Sequence, residues 1–242
     1  MNAVGALDRI RIVLTRTTHP GNIGAAARAM KTMGLRRLYL IEPASFPDPV
    51  AVARASGADD ILDAAVVVGS LDEALQGTIL AAAVTARRRE RSVAPRSARE
   101  GAIELLAHTG GGDVALVFGT EATGLTNEEV ERCSMPVSIP ANPGYSSLNL
   151  GAAVQLLCYE LRMACMTPPP AANIASNLAS FDEVEGFYGH LEGAMIRSGF
   201  YDPANPKRLM QRLRRLFGRT RLEKEEVNIL RGIIAAFERK LD

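Results

Sequence analysis

Three stretches of this chain combine polar side chains with glycine at spacings that could do chemistry. In His19-Pro-Gly-Asn-Ile-Gly-Ala-Ala-Ala-Arg28, Asn22 offers an amide and Arg28 a permanent cation. The small residues between them let a second backbone or a ligand come close. The ordinary alternative is a capping Asn22 and a solvated Arg28 on a common helix. In Gly119-Thr-Glu-Ala-Thr-Gly124 two glycines stand apart by four residues, as in a phosphate loop, but Leu125-Thr126 replaces the Lys-Ser/Thr pair that reaches phosphate and magnesium. ATP hydrolysis therefore loses its main support. Glu121 also occupies the middle glycine of a dinucleotide fingerprint and would repel a pyrophosphate. A carboxylate there suits a ligand with hydroxyl or cationic groups, or else it is solvated on a tight turn. In Ala141-Asn-Pro-Gly-Tyr-Ser-Ser-Leu-Asn149, Ser146 or Ser147 would cap the following helix, leaving backbone N–H groups for a small ligand.

A fourth feature is electrostatic. Lys207, Arg208, Arg212, Arg214, Arg215, Arg219 and Arg221 lie together with no acidic residue among them. Arg208, Arg212, Arg215 and Arg219 recur every three or four positions, opposite Leu209, Leu213 and Leu216, which reads as one cationic helix face. Arg87, Arg88, Arg89, Arg91, Arg96 and Arg99 add a second basic stretch in a Pro-containing segment that reads as mobile. The chain of 242 residues has 28 basic and 27 acidic side chains, net +1, so attraction to a phosphate backbone must be local. A merely solvated charged face is the alternative.

The same composition excludes several classes. Hydrophobic residues are 47% and charged ones 23%, against disorder and fibrous structure. No run of apolar residues is long enough for a membrane span, and the first residues carry Asp8 instead of an apolar leader. Cys133, Cys158 and Cys165 form no C-x-x-C pair, and His19, His108 and His190 are scattered, so neither a disulfide framework nor a metal site is expected and a reducing cytoplasm fits.

The elements that must position these residues follow from periodicity. Arg11–Leu14, Asn22–Met33 and Leu38–Ile41 read as strand, helix and strand, with Gly34 as helix C-cap. Ile61–Val68, Leu71–Leu75, Ile79–Val84 and Ala98–His108 continue the alternation, and Val114–Phe118 is the most strand-like run. Thr126 or Asn127 would cap a short acidic helix, and 136–140 makes a short strand. Leu150, Val154, Leu157 and Leu161 then mark a core-facing helical stripe. Apolar strands between helices predict an α/β fold with a mostly parallel sheet. Pro168-Pro-Pro170 opens a linker over 168–180, dividing a domain of residues 1–167 from a small all-α extension, 181–242. Its last helix, with Val227, Leu230, Ile234, Phe237 and Leu241, has heptad-like spacing suited to a partner helix.

With these elements in order, the chain resembles the SPOUT methyltransferases, and within them the TrmH-like 2′-O-methyltransferases. Asn22-Ile-Gly-Ala-Ala-Ala-Arg28 is similar to their first motif, Val117 through Leu125 to the second, and Ile139 through Asn149 to the third. Phe187-Tyr-Gly-His-Leu-Glu192, Arg212–Phe217 and Asn228-Ile-Leu-Arg-Gly232 resemble the helical extension of the bacterial tRNA (cytidine/uridine-2′-O)-methyltransferases of that family. Thr120 departs from the arginine that many relatives carry there. The resemblance implies a trefoil knot where 84–99, 119–124 and 139–149 meet. It implies S-adenosylmethionine held by Val84, Thr85, Ala86, Gly119, Ile139, Ser146, Ser147 and Leu148. It implies a reacting end lined by Arg28, Asn22, Glu121, Ser147 and Asn149. It further implies a cytoplasmic homodimer acting on tRNA at position 32 of the anticodon loop, with no DNA or membrane partner. Arg87, Arg88, Arg89, Lys207, Arg208, Arg212, Arg215 and Arg219 are the expected RNA contacts. A relative acting on another RNA such as rRNA, and an RNA-binding protein without catalysis, are the alternatives.

Overall fold

The computed structural model describes residues 3–86, 94–166 and 177–239. They form two compact units, residues 1–174 and 175–242. In the first unit, β1 (Ile10–Thr15) is buried along its whole length, as a strand covered on both faces must be. It is flanked on one side by β2 (Arg37–Ile41) and on the other by β6 (Asp113–Phe118), with Val13 opposite both Tyr39 and Val117. Adding β3 (Val66–Val68), β4 (Thr78–Val84), β5 (Arg96–Ser97) and β7 (Met135–Ser138) gives an all-parallel sheet in the order β3-β2-β1-β6-β4-β7-β5. Every strand therefore ends at the same edge of the sheet, and the loops after β1, β4, β6 and β7 leave from neighbouring strands. At the opposite edge the Asp113 carboxylate accepts from Arg11 at 2.8 Å and Arg37 at 2.6 Å, tying together the starts of β6, β1 and β2.

Eight helices accompany these strands in the described part of the first unit. They are α1 (Ala3–Leu7), α2 (Pro20–Met33), α3 (Pro49–Ala55), α4 (Asp59–Asp63), α5 (Leu71–Leu75), α6 (Ala98–His108), α7 (Asn127–Arg132) and α8 (Leu150–Met166). Helix α2 begins two residues earlier than its apolar pattern suggests. Pro20 fits the first turn, and His19, not Asn22, is the N-cap, its Nδ1 accepting from the Gly21 N–H at 3.1 Å. Gly34 ends it at φ +85°, a left-handed conformation that glycine adopts without a Cβ penalty. Helix α8 buries Leu150, Val154, Leu157 and Leu161, and Ala25 of α2 abuts Gly151 where a Cβ would stand 2.7 Å away. Gly24 admits α3 just as closely, since a Cβ there would lie 2.0 Å from the Ala51 carbonyl oxygen.

Several expectations need correction. The apolar run 61–68 splits into the end of α4 and the edge strand β3, whose Val66 and Val67 are exposed. Strand β7 occupies 135–138 and stops before Pro140. Ser146 and Ser147 do not cap α8; Asn149 does, its Oδ1 accepting from the Ala152 N–H at 3.3 Å. Helices α1 and α3 leave no periodic signal in the sequence, and α4 begins ahead of the apolar run that contains its end. Arg96 and Arg99 are paired with Glu104 and Glu160 and are not free cations on a mobile loop. Arg87, Arg88, Arg89, Arg91 and most of the expected linker lie outside the described residues.

The second unit contains α9 (Phe181–Arg197), α10 (Leu209–Gly218) and α11 (Lys224–Glu238). Its core holds Phe187, Tyr188, Leu222, Val227 and Ile234, with Phe217 edge-on to Phe187 at 5.0 Å between ring centroids. Arg214 stacks over Tyr188 at 4.4 Å and pairs with Glu185, so it belongs to this core and not to the cationic face. Met210 and Phe217 carry the packing of α10, while Leu216 is 48% exposed, which rotates the apolar face away from the one expected. Lys207 and Arg208 precede the helix at φ +41° and +60°, so the cationic stripe on α10 itself starts at Arg212. Helix α11 packs on α9 through Val227 and Ile234, while Phe237 stays exposed.

Candidate active site

The loop after β1 runs directly into α2, the loop after β6 carries Glu121, and the loop after β7 ends at Asn149. These three meet through side-chain hydrogen bonds. Glu121 accepts from the Thr18 N–H (3.1 Å) and hydroxyl (3.0 Å), the His19 N–H (3.3 Å) and the Asn22 Nδ2 (2.9 Å). Asn149 Nδ2 donates to Asn22 Oδ1 at 2.9 Å. A backbone N–H can only donate and an ionised carboxylate can only accept. The run from Ala152 N–H through Asn149 and Asn22 to Glu121 therefore has its direction fixed at both ends, and so are both amide orientations.

Burial by itself would push the Glu121 carboxyl up, but the hydrogen bonds from Asn22 and the Thr18 and His19 backbone outweigh it and hold the group below its ordinary range. Glu121 is thus charged, and both of its oxygens already accept from the protein's own donors. A second carboxylate ties the same loops. Buried Glu129 accepts from Arg16 at 2.5 Å, and its other oxygen closes the capping box of α7 on the Thr126 N–H at 2.7 Å. Thr18, His19 and the Arg16–Glu129 pair were missed in the sequence. The only local signal was the Thr-Thr-His run ahead of Pro-Gly, a pattern that suits a cap.

The loop around Glu121 closes on itself. Thr120 Oγ1 meets Thr123 Oγ1 at 2.8 Å and accepts from the Thr123 N–H at 3.2 Å, while the Gly124 N–H reaches the Thr120 carbonyl at 2.9 Å. Gly119 is required there, since a Cβ would fall 2.1 Å from the Gly124 carbonyl carbon.

Of the expected reacting-end residues, Asn22, Glu121 and Asn149 are brought together. Arg28 is exposed on α2, one turn beyond Ala25 on the side that meets the start of α8, and its guanidinium has no partner among the described residues. Ser147 is exposed on the loop before α8 and does not bond to the cluster. The expected cofactor residues issue from adjacent strands: Val84 pairs with Phe118 on one side and Val137 on the other. Thr85 and Ala86, Gly119, and Ile139 with Ser146, Ser147 and Leu148 all follow at the ends of those three strands. No grouping of three or more potential metal ligands occurs among the described residues. Burial pushes the Cys133 thiol up to about 12 and raises Cys158 as well, so neither is a reactive thiolate.

Residues 9–159 match the SpoU rRNA Methylase family. Residues 182–242 match the C-terminal domain of the tRNA methyltransferase TrmJ. The chain is 52% identical over 239 residues to the tRNA (cytidine/uridine/adenosine-2′-O-)-methyltransferase TrmJ of Pseudomonas aeruginosa, covering 94% of this chain and 93% of that one. It is 45% identical to the tRNA (cytidine/uridine-2′-O-)-methyltransferase TrmJ of Pectobacterium atrosepticum, covering 98% and 99%. The crystal structure of TrmJ from Z. mobilis ZM4 superposes with a TM-score of 0.81 at 32% identity, covering 94% of this chain and 98% of that one. With the family match spanning most of the first unit and relatives aligned along nearly the whole length, the chain belongs to the SpoU methylase family.

Proposed function

We propose that the protein methylates the ribose 2′-hydroxyl of a tRNA nucleotide, a cytidine or uridine at position 32 of the anticodon loop, using S-adenosylmethionine. The observation that carries this is the amide relay joining three motifs from separate parts of a chain that is 52% identical to a protein named as a tRNA 2′-O-methyltransferase. The expected cofactor segments fit the group. They leave neighbouring strands at one sheet edge and offer backbone groups and the Ser146 and Ser147 hydroxyls, and the stretch that carries Ile139, Ser146, Ser147 and Leu148 has no charged residue between Arg132 and Glu160. Val84, Thr85, Ala86, Gly119, Ile139, Ser146, Ser147 and Leu148 would hold it. When bound, S-adenosylmethionine supplies a methyl group on a sulfonium and leaves as S-adenosylhomocysteine.

The chain's own task is to place the 2′-oxygen and ease the loss of its proton. Glu121 is a poor base, because four donors already hold its charge. Its role is to fix Asn22 and, through it, Asn149. Arg28 is permanently protonated and uncommitted, so it stabilises negative charge developing on the 2′-oxygen and lets the proton pass to water.

RNA is gripped by the exposed Arg212 and Arg215 of α10, with Arg219 just after it and Lys207 and Arg208 before it, none of which has a carboxylate partner among the described residues. Residues 87–89 belong to the same reading. A second copy of the chain covers the exposed face of α8, where Leu156, Tyr159, Met163 and Met166 recur along one side. The first unit is then the catalytic SPOUT domain, with the family's trefoil knot, and the second its RNA-binding extension. A tRNA-modifying role places the protein in the cytoplasm, and no helix among the described residues is long and apolar enough to cross a membrane.

The test is to incubate the protein with S-adenosylmethionine and unmodified tRNA transcript, digest the RNA and identify 2′-O-methyl nucleosides by mass spectrometry. A product at position 32 is expected. Arg28→Ala should cut the rate by about 10²–10³ while cofactor binding persists. Intact tRNA binding without product would overturn the proposal.

A further inference from the structure

The most exposed large hydrophobic side chain among the described residues is not on a helix face. It is Tyr145, 81% exposed, in the loop between β7 and α8. An aromatic ring left in water forgoes the burial that Phe187 and Tyr188 obtain elsewhere in the chain. Its backbone is nevertheless tightly held. Asn142 Oδ1 accepts from the Gly144 N–H at 3.0 Å and the Asn142 carbonyl from the Tyr145 N–H at 2.9 Å, so a closed turn presents the ring to solvent. The phenol has no hydrogen-bond partner among the described residues.

Its position is as telling as its exposure. Tyr145 stands four residues before Asn149, which donates to Asn22 in the relay. Four residues of extended chain span at most about 14 Å, which bounds the separation of Tyr145 from Asn149 along the loop. No acidic residue lies between Arg132 and Glu160 to repel a phosphate, and Arg28 is exposed on the neighbouring helix. Bases of single-stranded RNA loops can be splayed out by a protein and are then received on aromatic faces.

We infer that Tyr145 is the stacking platform for the base of the methylated nucleotide. This rests on the RNA-methylation reading above. The ligand is an unstacked RNA nucleobase, taken by its π-face. The site therefore tolerates both pyrimidines and a purine, selecting an unpaired nucleotide more than a particular base. Because the turn is preformed, little ordering is needed on binding.

The test compares wild type, Tyr145→Phe and Tyr145→Ala on an unmodified tRNA transcript, with cofactor binding measured by calorimetry and assembly by sedimentation. Tyr145→Phe keeps the ring and should stay within about twofold of wild type. Tyr145→Ala should lose about tenfold to a hundredfold in kcat/KM for RNA, the range expected for one lost base stack. Its cofactor affinity, sedimentation and melting temperature should be unchanged, since the side chain packs on nothing in the fold. A fluorescent cytidine analogue at the target position should be quenched on binding wild type and Tyr145→Phe but stay bright with Tyr145→Ala. Wild-type kcat/KM in Tyr145→Ala overturns the inference. So does equal loss in Tyr145→Phe, or a loss explained by weaker cofactor binding or a changed sedimentation coefficient. A wild-type protein that forms no 2′-O-methyl product would instead overturn the functional reading on which the inference depends.

Discussion

Asn22 and Asn149 are primary amides whose two ends look alike in shape but opposite in hydrogen bonding, and both are oriented by neighbours that have no choice of role. Changing Asn22 to Asp keeps the shape and reverses the chemistry, setting a second carboxylate against Glu121. Like charges at that separation raise the pKa of one member. Asn22→Asp should lower the methylation rate by about 10²-fold near neutral pH, as expected for misplaced reacting groups. It should recover part of that loss as the pH falls and the pair shares a proton, whereas Asn22→Ala should be impaired without such recovery. A pH–rate profile of the two variants decides this, and a flat profile for Asn22→Asp would show that the two side chains do not meet. Asn22, Glu121 and Asn149 were legible in sequence because polar residues beside glycine in otherwise apolar stretches stand out. The identity of their partners was not, since Asn22 and Glu121 lie ninety-nine positions apart.

Helix α2 is the element on which the site hangs, and two small residues set its place. Gly24 lets α3 approach on one side and Ala25 meets Gly151 of α8 on the other. A methyl group at position 24 would strike a backbone carbonyl, which cannot rotate away as a flexible side chain would. Gly24→Ala should cost about 1–3 kcal/mol, a fall in Tm on the order of 5 °C, whereas Gly110→Ala, with open space around it, should be near neutral. Equal melting curves for the two would mean that α3 shifts freely. In the second unit, α10 is held by Met210 and Phe217, so its exposed arginines can change without loss of the core. Replacing Arg212, Arg215 and Arg219 by Gln should lower the slope of log K against log salt for tRNA by about two to three. An unchanged slope would leave them as solvating charge. The periodic pattern located α8, α9, α10 and α11 because each buries a stripe. It misjudged which leucines of α10 turn inward, because a helix of ten residues has several neighbouring apolar positions and the choice is made by Phe187 and Tyr188 across the interface.

At the scale of the whole molecule, the exposed apolar side of α8 and the Asp113 clamp carry separate expectations. If a second copy covers Leu156 and Met163, wild-type protein should sediment as a dimer at micromolar concentration, and Leu156→Asp with Met163→Asp as a folded monomer. Burial alone would raise the Asp113 carboxyl, but hydrogen bonds from Arg11 and Arg37 overcome it and hold the group below its ordinary range. A carboxylate depressed in the folded state contributes stability above the ordinary range near pH 4, and that contribution is lost as pH falls through the depressed value. Asp113→Asn should therefore destabilise by about 2 kcal/mol at neutral pH, with the difference from wild type shrinking below pH 4 in a series of thermal melts. A difference that persisted in acid would assign the loss to packing. The alternation of strands and helices, and hence a parallel sheet, could be read from local pattern, whereas the strand order could not, since nothing near β1 names β6 as its neighbour. That pairing has a consequence for how the protein is made. The sheet's central seam joins Ile10–Leu14 to Val114–Phe118, so β1 emerges from the ribosome with one edge open until about a hundred further residues have been added. At roughly 5–20 residues per second the wait is on the order of 5–20 s. Throughout it the nascent chain carries an apolar, unpaired strand edge, the feature most prone to join a neighbouring chain, so the rate of translation sets the length of this molecule's most aggregation-prone interval.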